Sequence, residues 1–183
     1  MKGLFQFGSK VLIPESQTFF VSPHCFCFVN ICPVVKVCSF VFVCVFCLFV
    51  FLPFFKKILQ GHVLVSPQTV RRRVEDMSDE EACDLFLTGR FVQRVLERVF
   101  GVSSSTLVIQ DGKDAGQTID HVHLHVMPRR SGDFRHNDQI YMEIEQPVRK
   151  LRSGEEMEVE ARMLRAAIEE QKMFDKGSSS HAF

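Results

Sequence analysis

His121-Val122-His123-Leu124-His125-Val126 places an imidazole at every second position and an aliphatic side chain between each pair. That period is the period of a β-strand, whose successive side chains leave on opposite faces. A strand is predicted over 117–127, ended by Pro128, with the three imidazoles lining one surface and Val122, Leu124 and Val126 entering a core. Successive imidazoles on that surface stand about 7 Å apart, close enough to surround one substrate group. A neutral imidazole is a nucleophile, and its neighbours can move a proton near neutral pH without a large pKa shift. Two other readings stay open from these residues alone. His-x-His on a strand can hold zinc, although no carboxylate or cysteine is placed to complete the shell, and the histidines can be purely structural.

Just before the histidines, Gln110 and Gln117 bracket a Gly-rich turn and Thr118 follows; amide and hydroxyl donors suit phosphate oxygens or ribose. Just after them, Arg129-Arg130 add positive charge. An anionic polyphosphate therefore fits better than a neutral ester. Arg71-Arg72-Arg73, without interleaved aromatics, reads as a solvated basic face.

Further out, Glu15–Asn30 reads as one or two strands, Gly61–Val65 as another, and Thr106–Gln110 as a fourth. Ser78 with Glu81 forms a capping box opening a helix that ends at Gly101, its face formed by Ala82, Leu85, Phe86, Leu96 and Val99. A second helix is predicted from Ser153 to Lys172, capped by Ser153 and Glu156, with Met157, Ala161, Leu164 and Ile168 as its stripe. The order β-β-β-α-β-β-α implies an α+β class, an antiparallel sheet with helix packed on it. One domain is expected over 1–175, followed by a disordered tail, 176–183.

Twenty-two basic residues balance 22 acidic ones, so no global field recruits nucleic acid. The balance hides one sharp contrast: Val37 to Phe55, VCSFVFVCVFCLFVFLPFF, carries no charge. Six of the seven cysteines lie at or before Cys47, and Cys44-x-x-Cys47 has no second pair to complete a metal site. The polar start MKGLFQFGSK lacks the apolar stretch of a secretory signal. A reducing, cytoplasmic address is expected, with the nucleus also open to it.

The motifs extend well beyond the histidines. FGSKVLIP at 7–14, FVN at 28–30, GHVLVSP at 61–67, QDGKDAGQT at 110–118 and MPRRSGDFRHNDQIY at 127–141 join His-x-His-x-His in one pattern. It resembles the histidine-triad (HIT) superfamily and, within it, the Fhit branch, over about residues 5–36 and 61–143. The resemblance implies a five-stranded antiparallel sheet with two main helices, extended across a homodimer. It implies hydrolysis of diadenosine polyphosphates, with diadenosine triphosphate giving AMP and ADP through a nucleotidyl intermediate on His123. In that scheme His121 orients the nucleophile through its backbone and His125 contacts phosphate oxygens. Gln110 and Gln117 hold phosphate and the bridging oxygen, and Thr118 belongs to the same binding set. Asn30 binds ribose and His62 supports the site. No integral metal is implied; a divalent cation, Mg or Mn, assists with the substrate. A nucleoside phosphoramidase of the related Hint type, and a dinucleotide-binding signalling module with incidental turnover, are the alternative readings.

One departure from the family pattern stands out, because the segment equivalent to NICPVV there turns directly into GHVLV. Here 37–60 is inserted at that hairpin turn. As a helix the apolar run would span about 28 Å, near the thickness of a bilayer. It also reads as a buried strand pair, or as a translated intron: Val37 and Gln60 stand where GT- and CAG-derived codons fall, and its composition is that of pyrimidine-rich codons. Asn30 and His62 must meet to build one site, so a single span between them and a working site exclude each other. The run is expected to protrude as an apolar loop, meeting a membrane only if translated and exposed.

Overall fold

The computed structural model describes residues 3–34, 37–38, 58–59, 61–145 and 151–179. Five strands form the central antiparallel sheet: β3 (Thr18–Val21), β4 (Cys25–Val29), β7 (Val63–Pro67), β8 (Ser104–Ile109) and β9 (Leu124–Arg129), in the order β3-β4-β7-β9-β8. Helices α1 (Asp79–Phe100) and α3 (Gly154–Ser179) pack on one face. The other face receives a hairpin of β1 (Leu4–Phe7) and β2 (Val11–Pro14). The α+β class and the five-stranded antiparallel sheet are as expected.

Strand alternation divides the core into two. Cys25, Cys27 and Val29 of β4, with Val63 and Val65 of β7, join Val122, Leu124 and Val126 under the helices. Phe26, Phe28 and Leu64 point the other way, beneath Phe7 and Ile13 of the hairpin. His125 pairs in register with Leu64 and shares its face, away from the helices.

Helix α1 begins where its capping box places it. Ser78 accepts from the Glu81 amide at 3.2 Å, Glu81 accepts from the Ser78 amide at 2.9 Å, and Gly101 closes the helix at φ 62°. Leu85, Val92, Val95, Leu96 and Phe100 are buried, whereas Phe86, expected on the apolar face, is 64% exposed. Gly89 is the point of closest approach: a Cβ there would collide with the Leu124 side chain, between two of the histidines. Helix α3 buries the expected stripe of Met157, Ala161, Leu164 and Ile168. It continues to Ser179, beyond the expected end at Lys172 and into the expected tail; 180–183 lie outside the described residues.

Three elements differ from the sequence reading. The β1–β2 hairpin was not expected, and neither was α2 (Gln139–Glu145). The histidine strand starts at Leu124 and runs through Pro128 to Arg129. It starts late because Val122 N–H donates to the Arg71 carbonyl, 2.7 Å, rather than to a sheet neighbour. Pro128 is tolerated because β7 pairs with β9 only at 124–126, leaving a flank without a ladder partner at 128.

The flanks of the insertion come together. Val29 faces Val63 and the Asn30 amide donates to the His62 carbonyl at 3.2 Å. Short strands β5 (Val37–Cys38) and β6 (Ile58–Leu59) pair antiparallel. Helix α3 clasps both flanks. Its buried Glu160 accepts from the Gly61 amide at 3.0 Å and from Arg152 at 2.7 Å, while the Arg152 amide donates to the Ile31 carbonyl. The expectations for 39–57, and for Cys44 and Cys47, lie outside the described residues. Among the described residues no helix is long and apolar enough to cross a membrane.

Candidate active site

Four imidazoles gather on the hairpin side of the sheet. His121, His123 and His125 come from the approach to β9 and from β9 itself, and His62 precedes β7. The three of the triad were expected on a surface, yet they are 0%, 5% and 6% exposed, and His62 is 0% exposed. Over His121 and His123 the cover includes the N-terminal hairpin. The Phe7 ring lies 5.6 Å from His121 and 5.4 Å from His123, centroid to centroid, and the Gly8 amide donates to His121 Nδ1 at 3.0 Å. Phe7 and Gly8 are site residues that the alternation could not reveal, because they arrive from more than a hundred positions away.

Hydrogen bonds fix which nitrogen carries each proton. His123 Nδ1 sits 2.7 Å from the His121 carbonyl oxygen, which only accepts. The proton is therefore on Nδ1, and Nε2 keeps its lone pair. The Val34 amide donates to His62 Nδ1 at 3.1 Å, which puts the His62 proton on Nε2. From there it donates to His125 Nδ1 at 2.8 Å, leaving the neutral His125 protonated on Nε2. Asn30 Nδ2 lies 3.4 Å from His62 Nδ1 and 3.1 Å from Nε2; only the former can accept from it in this tautomer. Asn30 Oδ1 accepts from the Cys32 amide at 3.0 Å, which folds the chain back toward His62.

Burial sets the charge state. It holds His123 below the ordinary imidazole value, with the hydrogen bond to the His121 carbonyl opposing. His121 is lowered to about 4, chiefly by burial and then by the neighbouring His123, against the carbonyls of Pro67 and Thr69. Both rings are neutral at pH 7, the state a nucleophile and its support require.

The remaining expected residues flank the histidines in the chain. Ile109 faces Leu124 in the ladder, so Gln110 and His123 are the next facing positions. The Gln110 amide lies against Gly116, whose φ of 86° favours glycine. Gln117 Oε1 accepts from the Gly112 amide at 2.7 Å and its Nε2 donates to the Arg72 carbonyl at 2.9 Å. Thr118 is exposed. Arg129 and Arg130 are each held by a partner of their own. Arg129 is gripped by both carboxylate oxygens of Asp133, at 2.7 and 2.9 Å, and Arg130 caps the Phe100 carbonyl at 2.6 Å. Among the described residues no three His, Cys, Asp or Glu side chains are grouped to hold a metal ion.

Comparison with known proteins gives the same pattern. The HIT domain model matches residues 50–132. A bis(5'-adenosyl)-triphosphatase of Dictyostelium discoideum is 42% identical over 161 residues, covering 88% of this chain and 91% of that one. The crystal structure of the Caenorhabditis elegans NitFhit protein superposes with a TM-score of 0.66 at 37% identity, over 90% of this chain; the chain spans only 30% of that fusion protein. Plasmodium falciparum diadenosine triphosphate hydrolase, solved with Cyclomarin A, gives 0.66 at 27% identity, covering 93% of this chain and 87% of that one.

Proposed function

The chain belongs to the histidine-triad (HIT) family, in its Fhit branch, and on that premise we propose that it hydrolyses diadenosine polyphosphates, diadenosine triphosphate foremost, to AMP and ADP. The observation that carries the mechanism is the 2.7 Å contact between His123 Nδ1 and the His121 carbonyl. It leaves the lone pair on Nε2, the nucleophile. Attack on the α-phosphorus forms a P–N bond and breaks the bond to the bridging oxygen, whose electron pair leaves with ADP. As His123 acquires positive charge, the carbonyl on its Nδ1–H stabilises it. Water then attacks phosphorus, the P–N bond breaks, and AMP leaves with His123 restored.

His125 presents its Nε2–H to phosphate oxygens, held in that tautomer by His62. Gln110, Gln117 and Thr118 take the phosphates and bridging oxygen, and Asn30 takes ribose. A Mg or Mn ion accompanying the polyphosphate would offset its charge, as a companion of the substrate.

A homodimer is part of this reading. Strand β8 ends the sheet with Leu107, Val108 and Ile109 only half-buried, and a second copy paired along it would continue the sheet. Light scattering should report twice the chain mass; a monomer contradicts this assembly. A cytoplasmic address agrees with the free thiols of Cys25 and Cys27 inside the core.

The test is diadenosine triphosphate cleavage by the full chain, by a chain lacking 37–60, and by His123→Asn. Activity in either of the first two, absent in the third with ligand binding retained, supports the assignment. Undiminished turnover by His123→Asn refutes it.

A further inference from the structure

The arginine run, read in sequence as a solvated face, is tied at every residue to the segment that carries the histidines or to the loop before it. The Arg71 carbonyl accepts from the Val122 amide at 2.7 Å, and the Arg72 carbonyl accepts from Gln117 Nε2 at 2.9 Å. Arg73 Nη2 donates to Asp111 Oδ2 at 3.1 Å, and the adjacent Val74 amide donates to Asp111 Oδ1 at 3.0 Å. The strap is itself anchored. Arg71 grips both carboxylate oxygens of Glu81 in the first turn of α1, and the Arg73 amide donates to Asp76.

These contacts orient one side chain in particular. A carbonyl only accepts, so the Arg72 contact assigns the Gln117 nitrogen, and the Gly112 amide, 2.7 Å from Oε1, assigns its oxygen. One Nε2 hydrogen remains for a substrate oxygen. Gly112 links the two ends of the device. It follows Asp111, it holds Gln117, and at φ 98° a Cβ on it would stand 3.1 Å from the Arg73 guanidinium carbon. The positive φ favours glycine at 112, and a side chain there would crowd the Arg73 guanidinium.

We propose that Arg73 and Asp111 are positioning residues for turnover, their ion pair fixing loop 111–117 on the arginine strap so that the Gln117 amide meets the substrate phosphates. The inference rests on the assignment of Gln117 to substrate made above. The pair is well suited to position rather than to stabilise, since its side chains are 45% and 31% exposed and exposed ion pairs contribute little to stability. Misplacing a substrate-holding group by a fraction of an ångström costs far more in rate.

Arg73→Met and Asp111→Asn in the full chain test this; the second keeps an acceptor for the Val74 amide. Both should lower kcat for diadenosine triphosphate by on the order of tenfold while leaving the melting temperature nearly unchanged. Added to Gln117→Ala, Arg73→Met should cost little more, because both act through one amide. Arg73→Lys should restore part of the rate. Unchanged kcat, or a loss that adds in full to that of Gln117→Ala, overturns the proposal. The side-chain amide resonances of Gln117 provide a readout independent of turnover: they should shift in Arg73→Met, and unaltered resonances overturn the proposal. If neither the full chain nor the chain lacking 37–60 cleaves a dinucleotide, the proposed function fails, whereas those resonances still decide the strap.

Discussion

His62 Nε2 lies 2.8 Å from His125 Nδ1, so a histidine 63 positions upstream of His125 determines which of its nitrogens carries the proton. The Val34 amide on the far side of the His62 ring drives the arrangement. The proton on His125 Nε2 is thus specified by a backbone amide at the threshold of the insertion.

His62→Phe keeps a ring beside His125, where the centroids are 5.1 Å apart, and removes both nitrogens. The Val34 amide loses its acceptor, at a cost of about 1–3 kcal/mol. kcat/KM should fall on the order of 10- to 100-fold. The imidazole nitrogen shifts of His125 should show mixed tautomers; an unmixed Nε2–H tautomer in the variant would refute the relay.

His121 couples stability to pH. Its folded pKa, about 4, lies below the ordinary value of 6.5, so between these values the unfolded chain binds a proton that the folded chain does not. Its contribution is complete above pH 6.5 and is lost as pH falls toward 4. The melting temperature should decline across that window, and His121→Asn should flatten the decline. An equal slope in both proteins would show that other groups control it.

Arg152 and Glu160 clasp the two flanks of the insertion through a pair whose side chains are 3% and 4% exposed. Arg152→Met strands a buried carboxylate and should cost about 3–5 kcal/mol in urea unfolding. Arg152→Met with Glu160→Gln removes the stranded charge yet leaves an acceptor for Gly61, and should recover part of the loss. A double variant less stable than Arg152→Met would contradict the clasp.

Much of this was readable from local pattern. Ser78 and Glu81 announce α1 because a capping box is complete within four residues, and the Met157–Ile168 stripe locates the buried side of α3 by period alone. Alternation separated the imidazoles from Val122, Leu124 and Val126 even though only His125 lies within the strand proper. What local pattern missed depends on distant partners. His121 and His123 are covered because Phe7 packs against them, and Arg129 is neutralised because a turn returns Asp133 to it. Arg71–Arg73 looked solvated because charge suggests solvent, yet two of its contacts to the loop use backbone carbonyls, which sequence does not distinguish.

The central claim is a covalent nucleotide on His123. Mixing the full chain with diadenosine triphosphate, quenching in alkali within one turnover and weighing the intact protein tests it most directly, because a P–N bond to imidazole survives alkali and is lost in acid. The expected result is a mass gain of one adenylyl group, acid-labile, mapping to the peptide bearing His123 and absent from His123→Asn. Burst release of ADP ahead of AMP should accompany it. Turnover with no adduct at any quench time, or the same adduct on His123→Asn, would contradict the account.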